Sequence, residues 1–286
     1  MTIAQTTYGP VQGQEKEGVL LFAGIPYAAP PTGSRRFRAP EPHDGWTDTR
    51  PALKFGPAAP QYPTGGLTAS VPVRWDEDCL ALNIATPAVD DARRPVLFWI
   101  HGGAYRTGQG NVPWYNGARF ARRGDLVVVS INYRLGALGF TDLSRFGDTF
   151  ATSGVNGTLD QIAALRWVRE NIAGFGGDPD RITIAGESAG AFSVCTVLAS
   201  PAARGLFRAA IPQSGGAQHT LPPEAARIVT DRFLEAAGSE DPTALQKLDA
   251  STILDAQKQV TEMLDRGIDA SETLGVPVSA FYPVHG

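Results

Sequence analysis

The segment RITIAGESAG, residues 181–190, places Ser188 between two glycines directly after a run of β-branched residues. In the order strand, sharp turn and helix, the pattern G-x-S-x-G forms a nucleophile elbow, in which a strained turn exposes the serine hydroxyl. Gly186 and Gly190 must lack side chains because strand and helix approach closely there. We therefore predict that Ser188 is a nucleophile, with an ordinary turn serine before a helix as the alternative.

A serine attacks an ester only where a base takes its proton and fixed donors meet the oxyanion that forms. The segment HGGAY, residues 101–105, follows an apolar run, and its small residues let backbone N–H groups approach a reacting carbonyl. We predict a three-donor oxyanion hole formed by the N–H groups of Gly103, Ala104 and Ala189. The alternative for the glycines is a tight turn that needs positive φ.

The elements that position these residues follow from four short apolar runs bounded by turn residues. Each has the composition of a strand buried on both faces. The four runs are residues 95–101, 125–131, 181–187 and 207–213. Strands that alternate with helices predict an α/β fold with a mainly parallel central sheet and helices on both faces.

The sequence predicts one helix together with the residues at which it begins and ends. In residues 158–177 the apolar side chains recur every three or four positions, Thr158 with Gln161 has the form of a capping box, and Gly176 is a stop signal. Residues 222–266 are rich in Ala, Leu, Glu and Lys and predict two or three helices with no buried strand.

Composition excludes several classes of protein. The chain has 286 residues, 43% of them hydrophobic, with a formal net charge of −4 and no block of Lys or Arg. It therefore has no electrostatic footprint for nucleic acid or an anionic membrane. No repeat or low-complexity linker divides it, so we expect one domain over residues 1–286.

The predicted location is the cytoplasm. The polar start lacks the pattern of a signal peptide, and no apolar run reaches the roughly 18 residues of a membrane span. Two cysteines, Cys79 and Cys195, have no metal-ligand spacing with the four histidines, so we expect no metal site and no cofactor. The oligomeric state is left open.

Further segments share a family pattern. They are FAGIPYAAPPTGSRRFRAP, DEDCLALNI, FWIHGGAY, VVVSINYRLGALGF, LDQIAALRWVRENIAGFGGDPDRITIAGESAG and GLFRAAIPQSG, in that order between Phe22 and Gly215. The chain resembles the N-terminal portion of the type-B carboxylesterases, the cholinesterase-like branch of the α/β-hydrolases. The resemblance implies an α/β-hydrolase fold and ester hydrolysis through an acyl-enzyme on Ser188. It also implies Gly102, Glu187 and Ser214 as groups adjoining the reacting centre.

The resemblance also implies what is missing. Family members are nearly twice as long and keep the acid and histidine of the triad far downstream of the serine, so we expect a C-terminally truncated chain that lacks both. FYPVHG, residues 281–286, is similar to a structural segment of the family, and His285 is not assigned as the base. A complementing C-terminal fragment is therefore a possible partner, beside a small-molecule ester substrate.

The other histidines are not predicted as bases. His43 and His219 lie in proline-flanked polar loops and are expected to be exposed, whereas His101 is expected to orient the oxyanion loop. Glu187 could instead pair with a buried arginine such as Arg134, and Ser214 could be a plain strand-end serine.

Four aromatic residues are candidates for the pocket lining: Trp75, Trp114, Tyr115 and Phe192, with ordinary packing as the alternative. The predicted function is a serine carboxylesterase acting on small or medium uncharged esters. The alternatives are a catalytically silent binding module on the same scaffold, and a hydrolase of carbamates, lactones or amides.

Overall fold

The computed structural model describes residues 1–63, 72–265 and 280–285. Within these residues nine strands form one sheet, flanked by α-helices and short 3₁₀ helices. The strands are β1 (Thr2–Thr6), β2 (Gly9–Lys16), β3 (Val19–Pro26), β4 (Arg50–Pro51), β5 (Ala81–Thr86), β6 (Arg94–Ile100), β7 (Val127–Ile131), β8 (Gly177–Glu187) and β9 (Ala209–Gln213). The helices are α1 (Ala118–Gly124), α2 (Gly136–Phe140), α3 (Asn156–Asn171), α4 (Ala189–Ala199), α5 (Pro223–Ala236), α6 (Pro242–Leu245) and α7 (Ala250–Asp265).

The sheet is mixed, with the order β1-β2-β3-β5-β7-β6-β8-β9 and β4 beside β2. The strands from β7 to β9 in this order are parallel, whereas β1, β2, β3 and β5 pair antiparallel, as do β5 and β7. The prediction of a mainly parallel sheet thus describes only the half that holds the site. The physical reason is local: two-residue connections at 7–8 and 17–18 can join only antiparallel strands.

The four predicted strands are β6, β7, β8 and β9, which form the parallel half. β6 lies between β7 and β8, so the carboxyl ends of β6 and β8 are neighbours. Parallel strands end at the same edge of a sheet, and ligands bind outside that edge. The topology therefore brings HGGAY, which follows β6, beside the turn that follows β8.

Helices cover both faces of the sheet, as predicted. Val128 of β7 packs in a small cluster with Ala118 and Ala121 of α1. Its neighbours Val127 and Val129 point to the other face and belong to the main core, together with buried residues of α3 and α4. In the described chain, α1 serves one face and α3 with α4 the other.

The predicted capping box is wrong. α3 begins two residues before Thr158, and Val155 at its N-terminus makes no side-chain cap. Thr158 therefore lies inside the first turn, and its buried hydroxyl has no partner among the described residues. Gln161 instead donates from Nε2 to Ser193 Oγ at 2.9 Å. The predicted stop at Gly176 is confirmed, because Gly176 has the left-handed φ of 77° after a 3₁₀ turn.

The C-terminal part of the described chain consists of three helices, α5, α6 and α7, as predicted for 222–266, whose last residue lies outside the described ranges. Gln257 of α7 accepts the N–H of Ala137 at 2.8 Å and so attaches α7 to α2. None of the described helices has the length and apolar character needed to cross a bilayer.

A buried ion pair joins α3 to the segment before α2. Asp160 accepts from Arg134 at both carboxylate oxygens, at 2.8 Å from Nε and 2.7 Å from Nη2, and also from its backbone N–H at 3.0 Å. Arg134 Nη1 donates to the carbonyl of Arg38 at 2.7 Å. Both side chains are buried, so each compensates the desolvation of the other.

We predict that Asp160→Ala lowers the free energy of unfolding by about 3–5 kcal/mol, because it leaves the Arg134 charge buried without a counter-ion. The control is Asp231→Ala, which breaks the exposed pair with Arg145 and should cost less than about 1 kcal/mol. Urea unfolding of both variants checks this. Equal losses would contradict it.

Candidate active site

Ser188 occupies the turn between β8 and α4 with φ 55° and ψ −121°, a conformation that costs a non-glycine residue free energy. Its N–H donates to the carbonyl of Gln213 at 3.0 Å, which ties the turn to the end of β9. Its carbonyl accepts from Ala191 and Phe192, which start the hydrogen bonding of α4. Ser188 lines a cavity, so its side chain can be reached from outside.

Gly186 and Gly190 of the elbow leave no space for a side chain, because backbone atoms of neighbouring segments lie too close. A Cβ on Gly190 would overlap the carbonyl oxygen of Ile100, the last residue of β6. A Cβ on Gly186 would lie 2.5 Å from the backbone of Gly190 and 2.7 Å from the same carbonyl oxygen. These atoms belong to backbone and cannot rotate away. The elbow therefore packs directly on the carboxyl end of β6.

The loop after β6 lies against the elbow. A Cβ on Gly102 would be 3.2 Å from Ser188 Cβ and 2.5 Å from the carbonyl oxygen of Glu187. Gly103, Ala104 and Tyr105 follow with φ of 117°, 54° and 57°. The loop thus runs through three successive residues with φ in the region that favours glycine, directly after the residue that contacts the elbow.

The loop closes on itself through the carbonyl of Gly103, which accepts from the N–H groups of Arg106 and Thr107, both at 3.0 Å. The N–H groups of Gly103 and Ala104 donate to no other described residue. Ala189 is the first residue of α4, where a backbone N–H has no intrahelical partner. Three N–H groups around Ser188 are thus available to an incoming group.

His101 supports this loop from behind. Its ring is buried, stacks on Tyr133 with centroids 4.5 Å apart, and has Nδ1 2.9 Å from the carbonyl of Gly102. Tyr133 in turn donates from its hydroxyl to the carbonyl of His101 at 2.9 Å. Burial lowers the pKa of His101 to about 4, so the ring is neutral and Nδ1 carries the proton that meets the carbonyl. This geometry agrees with the predicted orienting role.

The cavity that contains Ser188 has a volume of about 870 Å³. Around the serine its wall is formed by the loop 102–104, Glu187, Trp114 and Tyr115. Of the four predicted aromatic lining residues, Trp75 and Phe192 are not on this wall. Phe192 instead stacks on His219 with centroids 3.6 Å apart.

Three other predicted placements need correction. Arg134 pairs with Asp160 and not with Glu187, because Glu187 points into the cavity at the sheet edge whereas Asp160 lies on α3. His43 and His219 are half-buried rather than exposed, since each packs against aromatic rings. Proline-flanked polar loops predict exposure, but here packing against aromatic rings overrides that local signal.

Ser214 follows β9 with φ 57° and is exposed, and it does not line the cavity. Its role beside the centre stays a prediction. Residues 64–71, in the loop between Gln61 and Trp75, lie outside the described ranges. Gln61 is described, and it binds Gly108 through two hydrogen bonds of 2.8 and 2.9 Å.

The described cavity wall contains one carboxylate, Glu187, and no histidine. No group of three His, Cys, Asp or Glu side chains in the described ranges could hold a metal ion. Ser188 and the loop 102–104 therefore lie together on the cavity wall, and among the described residues of this wall Glu187 is the one carboxylate and no histidine is present.

With this geometry established, the chain can be compared with known proteins. The model of the family described as "Carboxylesterase family" matches residues 1–284. The chain belongs to the carboxylesterase family. It is 46% identical over 238 residues to the para-nitrobenzyl esterase of Bacillus subtilis (strain 168), which covers 82% of this chain and 48% of that protein. It is 47% identical over 253 residues to the phenmedipham hydrolase of Pseudarthrobacter oxydans, covering 85% and 49%.

Among solved structures, the Geobacillus stearothermophilus carboxylesterase EST55 superposes with a TM-score of 0.86 at 46% identity, over 99% of this chain and 55% of that one. The α/β-hydrolase fold expected from the sequence is thereby confirmed. The chain spans about half the length of the curated relatives it matches.

Sequence reasoning missed three residues that contribute to the site. Gln213 holds the elbow through its carbonyl, Tyr133 holds the oxyanion loop, and Trp99 lines the cavity. The signal for Gln213 and Trp99 was their place at the carboxyl ends of predicted strands. No local signal marked Tyr133, because its contact with His101 spans 32 positions.

We predict that Gly190→Ala lowers the free energy of unfolding by about 3 kcal/mol or more, because neither Cβ nor the Ile100 carbonyl can move. The control is Gly205→Ala, where a Cβ meets nothing within 4 Å but φ is +77°, and the cost should be about 1–2 kcal/mol. Urea unfolding, or soluble yield if Gly190→Ala does not fold, provides the comparison. A smaller loss for Gly190→Ala than for Gly205→Ala would refute the contact argument.

A second prediction concerns pH. The pKa of His101 is about 4 when folded and 6.5 in the reference state, so the unfolded chain binds this proton first as the pH falls. The contribution of neutral His101 to stability is complete above about pH 6.5 and declines toward pH 4, by up to about 3 kcal/mol. His101→Gln removes the titration, and its unfolding free energy should fall less over this range. Parallel slopes in urea titrations of the two proteins would contradict this origin.

Proposed function

We propose that this protein hydrolyses carboxylic esters through an acyl-enzyme on Ser188. The observation that carries the proposal is the contact of two motifs at one edge of the sheet. The elbow at Ser188 lies so close to the loop at Gly102–Ala104 that a Cβ on Gly102 would be 3.2 Å from Ser188 Cβ. Membership of the carboxylesterase family supports the same reaction. The proposal requires no cofactor.

In the proposed reaction, Ser188 Oγ attacks the ester carbonyl carbon while a base takes the hydroxyl proton. The carbonyl oxygen becomes an oxyanion and is stabilised by the N–H groups of Gly103, Ala104 and Ala189. The tetrahedral intermediate collapses, the alcohol leaves with the proton, and the acyl group stays on Ser188. Water then attacks the acyl carbon while the base takes a proton from the water. The bond to Ser188 Oγ breaks, Ser188 regains its proton, and the carboxylic acid is released.

We propose that the base and its orienting acid come from outside the described residues. None of the histidines in the described part of the chain lines the cavity, and the nearest one, His101, donates to the Gly102 carbonyl and is held neutral by burial. Without a base, a serine site retains only about 10³ to 10⁴ of rate over water from binding and oxyanion stabilisation. The other half of the carboxylesterase fold is therefore part of the active enzyme.

The proposed substrate is a small or medium uncharged ester. Trp114 and Tyr115 present aromatic surface beside the serine, and the wall also contains one charge of each sign, Glu187 and Arg106. An apolar wall with no net charge favours an uncharged substrate. Carbamates, lactones and amides would use the same serine, and a substrate panel separates them.

A covalent labelling experiment tests the proposal. When a complementary half of a carboxylesterase is added, we expect a fluorophosphonate to label this chain stoichiometrically, because the probe needs an activated serine and an oxyanion hole. Ser188→Ala should abolish labelling and lower kcat for a p-nitrophenyl ester on the order of 10⁴-fold or more. Ser144→Ala is the matched control and should still be labelled, because Ser144 is exposed and does not line the cavity. No labelling with the complement bound would favour a catalytically silent binding module.

A further inference from the structure

A second cavity lies next to the one that contains Ser188. Its volume is about 250 Å³, and every described residue that lines it lies between Lys16 and Ser130. Neither Ser188 nor the loop 102–104 is among these residues. Four residues line both cavities: Tyr115, Asn116, Gly117 and Val128. The second cavity is therefore a separate space that shares one wall with the cavity of the proposed reaction.

The floor of the second cavity consists of alternate residues from three neighbouring strands. Leu21 of β3 pairs with Ala85 of β5, and Ala85 pairs with Val128 of β7. Two residues further along β5, Asn83 pairs with Ser130 on the same face of the sheet. All five side chains line the cavity. Because Ala85 is small and lies between Leu21 and Val128, the floor has a depression at this position.

The roof of the second cavity is the segment 110–118, which touches the sheet at both ends. Gly110 donates its N–H to Asn132 Oδ1, and its carbonyl accepts from Ser130 Oγ, both at 2.7 Å. A Cβ on Gly110 would lie 2.8 Å from a backbone oxygen of β7, and a Cβ on Gly117 would lie 2.5 Å from Val128 Cβ. The two glycines thus allow the roof to rest directly on the sheet, and residues between them line the cavity opposite the floor.

One polar side chain of the roof lacks a partner. Asn83 Nδ2 donates to Ser130 Oγ at 3.2 Å, and Asn83 Oδ1 accepts the N–H of Gly24 at 3.0 Å. By contrast, Asn111 Oδ1 is buried without a hydrogen-bond partner among residues 1–63, 72–265 and 280–285. Such an atom costs free energy. A half-turn of the amide exchanges Oδ1 and Nδ2, so a ligand hydroxyl, which both donates and accepts, suits Asn111 in either orientation.

The charges of the second cavity balance. Lys16 and Glu17 are exposed, and they are the two charged residues among its described lining residues. Much of the remaining wall is apolar, with Val19 and Val112 buried and Phe55 half-buried. An ion that entered this wall would lose its hydration without a compensating partner. The cavity therefore favours an uncharged ligand.

We propose that the second cavity is a binding site for an uncharged compound with one ring and a hydroxyl group. The size follows from the volume, since an apolar cavity of roughly 150 Å³ holds benzene and about 250 Å³ leaves room for a substituent. The ring would pack on Leu21, Ala85 and Val128, and the hydroxyl would bond to the amide of Asn111. Such alcohols are also released when their esters are hydrolysed, and this last link alone rests on the proposed function.

Water is the competing occupant of the second cavity. A buried water molecule makes about two to four hydrogen bonds to polar groups. Leu21, Ala85 and Val128 offer none from their side chains, and Asn83 and Ser130 already bond to each other. An apolar ring on this part of the floor removes apolar surface from water, which is favourable.

Methyl NMR of the full chain tests the site with benzyl alcohol as the probe. We expect ring-current shifts for the methyl groups of Val19 and Leu21, which line the second cavity and not the Ser188 cavity. We expect none for Leu97 and Ile211, which line the Ser188 cavity and not the second one. The same titration gives the Kd.

Two variants test the ring site and the hydroxyl site. Asn111→Leu should weaken benzyl alcohol binding about three- to tenfold, because one hydrogen bond is lost. It should not weaken binding of ethylbenzene, which has the same shape without the hydroxyl. Ala85→Leu should abolish the shifts of Val19 and Leu21, because the larger side chain fills the depression in the floor. The matched control is Phe120→Leu, since Phe120 is 62% exposed and lines the Ser188 cavity alone.

The outcomes separate this inference from the proposed function. Shifts at Leu97 and Ile211 alone, the absence of any shift, or equal losses of benzyl alcohol and ethylbenzene in Asn111→Leu would each overturn the inference. If Ala85→Leu does not fold, the methyl shifts and Asn111→Leu decide. Ser188→Ala should bind benzyl alcohol as tightly as the unmodified chain. Binding in the second cavity without fluorophosphonate labelling overturns the proposed function alone, and labelling without binding overturns this inference alone.

Discussion

The site depends on the close approach of two stretches of backbone. Where β8 turns into α4, the main chain of Gly190 lies against the carbonyl oxygen of Ile100 at the end of β6, with no room for a Cβ. This contact fixes the distance between the elbow and the loop that begins at His101. A hydroxyl on Ser188 can meet the N–H groups of that loop only because two glycines permit the approach.

Several buried polar contacts then hold the loop in a conformation that its own φ angles disfavour. Tyr133 donates to the carbonyl of His101, Gln61 brackets Gly108, and Ser193 of α4 donates to the hydroxyl of Tyr105 at 3.3 Å. These partners come from three separate parts of the chain. Strained backbone persists where surrounding contacts over-determine it, and here the strained residues are those beside Ser188.

The two halves of the sheet differ in what packs against them. α1 packs on β3, β5 and β7, and the main core lies on the other face of these strands. The parallel half packs against α3 and α4 on one face, whereas its other face borders the cavity that contains Ser188. Ser188 therefore lies where the packed parallel strands end at the cavity.

The sequence by itself determined the parallel strands, the elbow at Ser188 and the small residues of the loop after β6, because each is a local pattern of side-chain size and backbone permissiveness. It did not determine the partner of Arg134, the burial of His219 or the bond from Gln213 to the elbow, since these join residues far apart in the chain. The predicted start of α3 was also wrong. Thr158 has the residue type of an N-cap, but the helix already begins two residues before it. The cavity beside Ser188 was visible only in the tertiary structure, since its wall combines residues of β6, β8, β9 and the segment 114–120, which are far apart in the chain.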